Sequence, residues 1–138
     1  MTAAPTPGAQ GGAPLWPRPS SDAAEEASTA EAVARFGEAF DRRDVDAVMA
    51  AMTQDCVFET TAPPDGDRHV GTGAVRAAWT AFFLESADAV FEAEEQIIRG
   101  DRAIVLWRYS WEGGHVRGVD VFRVRDGRVA EKVSYVKG

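Results

Sequence analysis

From Ala89 to Val136 apolar residues recur at every second position, and short runs of turn-forming residues interrupt the pattern. A period of two is the signature of extended strands with one face turned inward. The alternation predicts strands over 89–98, 103–112, 115–125 and 128–136. Between them lie Arg99-Gly100-Asp101-Arg102, Gly113-Gly114 and Asp126-Gly127. The last two are hairpin signals, because tight two-residue turns need a backbone conformation that glycine adopts without steric penalty. A chain of 138 residues with four such strands in succession has room for one sheet and one core.

Ahead of the strands the spacing changes to three and four, which predicts helices. Ser28 and Glu31 have capping-box spacing, with Val33, Phe36 and Phe40 on one face behind them; a start nearer Asp22 is equally possible. Asp44 is placed to cap a second helix carrying Val45, Val48, Met49 and Met52. A short strand around Cys56–Thr60 and a turn-rich loop, TAPPDGDRHVG, follow. Thr72 can then cap a third helix with Val75, Ala78, Trp79, Phe82 and Phe83 on its apolar side. Residues 1 to about 20 are rich in Ala, Pro and Gly, with only Leu15 and Trp16 as large apolar groups beyond Met1. Such a stretch is expected to be a disordered tail, leaving 21–138 as a single domain. Helices first and an antiparallel meander after them is an α+β pattern. With helices on one face, a curved sheet encloses a pocket. Apolar residues on its other face suggest a homodimer formed through the sheet.

The net charge of −7 argues against nucleic acid and anionic membrane surfaces, which require a basic face. Cys56 is the only cysteine, so no internal disulfide can form. No apolar run reaches the length of a membrane span, and the first residues lack the basic and apolar regions of a signal peptide. A cytoplasmic protein is the default expectation.

Asp120 is the residue most out of place. It lies in GVDVFRV, mid-strand, between Val119 and Val121. Acidic residues have poor strand propensity, and burying one is unfavourable unless it is paired or neutralised. Alternation puts Gly118, Asp120, Phe122 and Val124 on one face and Val119, Val121 and Arg123 on the other. A carboxylate beside phenylalanine in a covered cavity is expected to have a raised pKa, suited to a general acid or base. The bland alternative is an acid on a solvated face, or one neutralised by an arginine.

Arg108 and Lys132 are the candidate cationic partners. If Gly113-Gly114 is a strict two-residue turn, Asp120 lies opposite Trp107 and shares its face with Trp107, Tyr109 and Trp111. A three-residue loop or a bulge shifts the register by one and would bring Arg108 and Ser110 to that face instead. His69 and His115 are most simply solvated loop residues, and no His/Cys spacing suits a metal. No GxGxxG, Walker A, GxSxG or CxxC motif is present, so nucleotide cofactors and a serine or cysteine nucleophile lack support.

The order of elements, with GTGAVRAAW, RGVDVFRVRDGRVAEKVSYVKG and the DVDAV helix, resembles the nuclear transport factor 2-like superfamily. The likeness is nearest to its SnoaL-like and ketosteroid-isomerase-like branch and covers nearly everything after residue 28. It implies three N-terminal helices packed on a curved antiparallel sheet, a cone-shaped, cystatin-like α+β barrel. In ketosteroid isomerases a strand aspartic acid hydrogen-bonds the dienolate oxygen, and Asp120 matches it. The assisting tyrosine's position holds Phe36, and the catalytic base's position holds Thr60, after Glu59. Limonene-epoxide-hydrolase-like enzymes need an Asp–Arg–Asp set plus a Tyr and an Asn to hold the water. Of that set Arg108 is retained, Ser110 and Ser134 stand at the aspartate positions, and Phe58 and Thr60 replace the Tyr and Asn. The polyketide-cyclase branch, in which a strand aspartate closes a ring by aldol chemistry without metal or cofactor, fits best.

The resemblance and the residues together imply a cofactor-independent acid/base enzyme of cyclase or isomerase type. Its substrate would be a small apolar carbonyl or polyketide-like compound. Asp120 and Arg108 would be catalytic. Thr60, Ser110, Lys132 and Ser134 would supply polar contacts, and Phe58, Trp79, Leu106 and Phe122 would shape the wall. The alternative is a non-catalytic dimeric module that binds a small ligand or a protein. An enzyme predicts a closed pocket with Asp120 at its floor and a cation or hydroxyl within hydrogen-bond reach; a binder predicts Asp120 neutralised by a structural arginine, or a pocket filled by side chains.

Overall fold

The computed structural model describes residues 23–138; the tail expected over 1–20 lies outside them. Helix α1 runs Ala23–Asp41 and α2 Val45–Ala50, followed by strands β1 (Met52–Glu59) and β2 (Arg68–Val70). Helix α3 (Thr72–Glu85) leads into β3 (Val90–Arg99), β4 (Arg102–Trp111), β5 (Gly114–Arg125) and β6 (Arg128–Val136). The strands form one curved, unclosed sheet in the order β2-β1-β6-β5-β4-β3. Two corrections to the expected architecture follow. The three helices are not all N-terminal to the sheet, since α3 follows β1 as the order of segments in the sequence implied, and β1 pairs with β6 in parallel, so the sheet is mixed rather than antiparallel.

The buried face of α1 carries Thr29, Ala32, Val33, Phe36 and Ala39, at helical spacing. Helix α1 starts upstream of Ser28, so the Ser28–Glu31 spacing falls inside the helix. The Asp44 side chain accepts a hydrogen bond from the Ala47 amide at 3.1 Å and caps α2 as expected. Met52 opens β1 instead of ending α2, and Thr72 is the first helical residue behind an N-cap at Gly71. Val75, Trp79 and Phe83 bury the inner side of α3. Its indole stacks on Phe58 with ring centroids 4.1 Å apart and meets Phe36 edge-on at 5.7 Å. Such pairs add about 0.5–1.5 kcal/mol to area burial. They fix the helices on the sheet.

The three turns of the β3–β6 meander each have two residues, Gly100-Asp101 lying between the partners Arg99 and Arg102. Asp126 and Gly127 lie at positive φ between the partners Arg125 and Arg128, as the Asp-Gly signal requires. The remaining turn is Glu112-Gly113, closed by Trp111 and Gly114, one position earlier than the expected Gly113-Gly114. Only Gly113 takes a positive φ there, so one glycine suffices and the second pairs in the ladder.

Candidate functional site

The register stacks inward-facing side chains in rows across the sheet. Asp120 lies between Val105 on β4 and Ser134 on β6, not opposite Trp107. The neighbouring row runs Phe58, Lys132, Phe122, Ala103, and the next Val136, Gly118, Trp107, Ala93. With α1 and α3 these residues enclose a cavity of about 810 Å³. Small residues on the helices, Ala34, Gly37, Ala78 and Ala81, leave the space open, and rings such as Phe36, Phe58, Trp79, Trp107 and Phe122 form the wall around Asp120.

Four side chains form a polar pole in this apolar wall. Asp120 Oδ1 accepts hydrogen bonds from Ser134 Oγ at 2.7 Å and from Trp107 Nε1 at 2.9 Å. Lys132 Nζ donates to Ser134 Oγ at 2.8 Å and stands 3.3 Å from Asp120 Oδ2. The same ammonium lies over the faces of Phe58 and Trp79, 4.9 and 5.3 Å from their centroids. Both partners are largely withdrawn from water, with 7% of the Lys132 side chain and 14% of the Asp120 side chain exposed. Two hydrogen bonds and an ammonium make up the partner set of an ionised carboxylate. Because both hydrogen bonds end on Oδ1, Oδ2 faces only the ammonium among the described residues.

Gly118 makes this geometry possible. A Cβ there would sit 2.5 and 2.7 Å from two Trp107 ring carbons and closer still to the Tyr135 carbonyl oxygen. The indole therefore lies flat across the glycine and reaches Asp120 two residues along β5.

Of the residues singled out from the sequence, Phe58, Thr60, Trp79, Asp120, Phe122, Lys132 and Ser134 all line the cavity. Arg108, Ser110 and Leu106 do not. They alternate with Val105, Trp107 and Tyr109, so the pleat turns them to the opposite face of β4. Arg108 as a catalytic partner is thereby corrected, and the cation at Asp120 is Lys132. Sequence reasoning also placed His69 in a solvated loop. It sits on β2 opposite Phe58 and lines the cavity, its ring 6.2 Å from the Phe58 ring. Only the alternation of Arg68, His69 and Val70 hinted at this strand, and three residues are too few to reveal a period. Among the described residues no group of three or more His, Cys, Asp or Glu side chains is placed to hold a metal.

Helices in the described region are too short or too polar to cross a membrane. A solved NTF2-like protein of unknown function from Mesorhizobium loti is 40% identical, covering 83% of this chain and 94% of its own, with a TM-score of 0.74. One named "putative polyketide cyclase" from Sinorhizobium meliloti is 28% identical over 75% of this chain and 92% of its own, at a TM-score of 0.66. One named "putative ketosteroid isomerase" from Kribbella flavida shares the fold at 19% identity and a TM-score of 0.69, covering 83% of this chain and 81% of its own. No curated protein matches the chain. The profile of the SnoaL-like domain matches residues 33–132, which include Asp120 and end at Lys132, and the chain belongs to this family within the NTF2-like superfamily.

Proposed function

We propose that the protein is a cofactor-independent acid/base enzyme of cyclase or isomerase type, acting on a small apolar carbonyl compound. The observation that carries this reading is the Asp120–Lys132 pair in the wall of an open aromatic cavity. Asp120 Oδ2 removes a proton from the carbon next to the substrate carbonyl, while Ser134 and Trp107 hold Oδ1 and fix the plane of the carboxylate. The Lys132 ammonium then stabilises the enolate oxygen without solvent reorganisation. The aromatic part of the wall folds the substrate into a reactive geometry. Among the described residues no arginine neutralises Asp120, and their side chains do not fill the pocket, which favours this reading over a passive binding module.

The test is deuterium exchange into 1-tetralone, an apolar cyclic ketone, followed by NMR in buffered D₂O. The wild type should accelerate exchange over buffer, and Asp120→Asn should reduce that acceleration by about 10²–10⁴-fold, the range for a lost general base. Equal rates in the two folded proteins would sink the reading.

The homodimer expectation belongs here as well. Ile97, Ile104, Val121 and Val133 are direct partners across β3, β4, β5 and β6 on the outer face, with Ile97 46% and Ile104 36% exposed. A second copy of this stripe is the partner of matching chemistry. Ile104→Arg should leave a monomer in sedimentation if the stripe is the interface, and an unchanged mass would refute it.

A further inference from the structure

Lysine is scarce in this chain. Arginine supplies thirteen of the fifteen Lys and Arg residues, and the two lysines are Lys132 and Lys137. Every surface ion pair described uses arginine: Arg68, Arg76, Arg117, Arg123 and Arg125. Arginine is also the side chain better suited to a buried ion pair, because its planar fork matches a carboxylate. Yet the cation inside the cavity is a lysine, 6% exposed, with its nitrogen between an aromatic wall and the Asp120 carboxylate. What lysine can do and arginine cannot is give up its proton and attack carbon.

We infer that Lys132 is a nucleophile that condenses with the substrate carbonyl to form an imine. The inference rests on the acid/base reading of the same cavity and deepens it. The Lys132 ammonium passes one proton to Asp120 Oδ2, which stands 3.3 Å away. The freed amine adds to the carbonyl carbon, and its second proton moves to the oxygen through Ser134 Oγ, 2.8 Å from Nζ. The carbinolamine then loses water, with the oxygen leaving on protonation by Asp120. Carbonyl compound and ammonium thus give protonated imine and water, with no oxidant or reductant consumed. Asp120, again ionised, removes the proton on the carbon beside the iminium, a stronger electron sink than a carbonyl. The Phe58 and Trp79 faces 4.9 and 5.3 Å from Nζ are placed to shelter the iminium cation as they do the ammonium.

The experiment treats the full chain with 2-naphthaldehyde and sodium cyanoborohydride, which reduces an imine to a stable secondary amine. Peptide mass spectrometry then compares labelling of Lys132 with that of the exposed Lys137, an internal standard in the same molecule. The expected result is labelling of buried Lys132 at least tenfold faster than Lys137, suppressed by excess 1-tetralone. In Lys132→Arg, checked for folding by circular dichroism, the fast label should disappear while Lys137 still reacts. Equal labelling, or labelling confined to Lys137, would overturn the imine. If Asp120-dependent exchange into 1-tetralone persists in that case, the ammonium-assisted reading survives alone; if exchange is absent too, both fall.

Discussion

Removing both members of the Asp120–Lys132 pair should destabilise the protein by clearly less than the two single removals added together. At 3.3 Å and an effective dielectric of about 20, the attraction between the two charges is about 5 kcal/mol. The opening of the cavity to water lowers this, and about 2–3 kcal/mol of coupling is the reasonable expectation. Asp120→Asn keeps the shape but leaves the ammonium facing an amide in an aromatic wall. Lys132→Met leaves the carboxylate with the Ser134 and Trp107 donors and no counter-charge. Each single change should lower stability by about 2–4 kcal/mol, a large part of the 5–15 kcal/mol typical of a domain. The double variant should lose at least about 2 kcal/mol less than the sum of the singles. Urea unfolding followed by far-ultraviolet circular dichroism gives all four stabilities and avoids quenching effects at Trp79. If the two losses add to within about 0.5 kcal/mol, the charges are not coupled and the geometry of the polar pole does not mean what is claimed for it.

Gly118→Ala should destabilise by at least about 2 kcal/mol, because the added methyl meets the Tyr135 backbone and the Trp107 ring at once; a variant as stable as the wild type in urea would contradict the close packing of that indole. On the outer edge, the hydrogen-bonded Arg117 guanidinium holds the Glu94 carboxyl below its ordinary value of 4.5. A lowered folded-state value means the contribution is present above about 4.5 and lost as pH falls through the folded value. The difference in melting temperature between wild type and Glu94→Gln should therefore shrink on acidification from pH 7 to pH 3, and a difference that grows would refute the assignment. Burial raises the Cys56 thiol above its ordinary range, and the residue is fully enclosed. It should resist a disulfide reagent at pH 8 until the protein unfolds in urea; fast native-state reaction would show the core to be open there.

The strands were legible because alternation and the turn residues agree over nearly fifty positions, and the face of Asp120 followed from the same parity. Placing the second turn at Gly113-Gly114 instead of Glu112-Gly113 moved the partner of Asp120 by two residues, from Val105 to Trp107. An even shift keeps every side chain on its face, so Trp107 still faces the cavity with Asp120, and its indole bonds the carboxylate. Arg108 came from the odd shift, which would have turned β4 over. The sequence left that choice open because either Gly113 or Gly114 can take a positive φ. The parallel pairing of β1 with β6 joins segments about seventy residues apart and leaves no local signal. That pairing sets Phe58 beside Lys132, so the cation's aromatic cradle could not be read from either segment alone.

Stability does not account for the polar pole. Closed packing is found in the same core around Val48, Val75, Val129 and Cys56, each fully buried, apolar and away from the cavity lining. In the cavity wall, two well-packed apolar side chains would be as stable as the ion pair or more so, since the pair must be desolvated before it can attract. The emptiness beside it has the same implication. Gly37 has no heavy atom within 4 Å of where its Cβ would be, so a larger side chain could fill space that the fold leaves open. A domain shaped only by packing would close that space and discharge that pair. Open volume on one side and a desolvated, hydrogen-bonded carboxylate with an ammonium on the other are what the proposed reaction requires, a guest that enters the first and reacts at the second. That is why the cavity, the glycine slot under Trp107 and the lysine at 132 are best understood as one device.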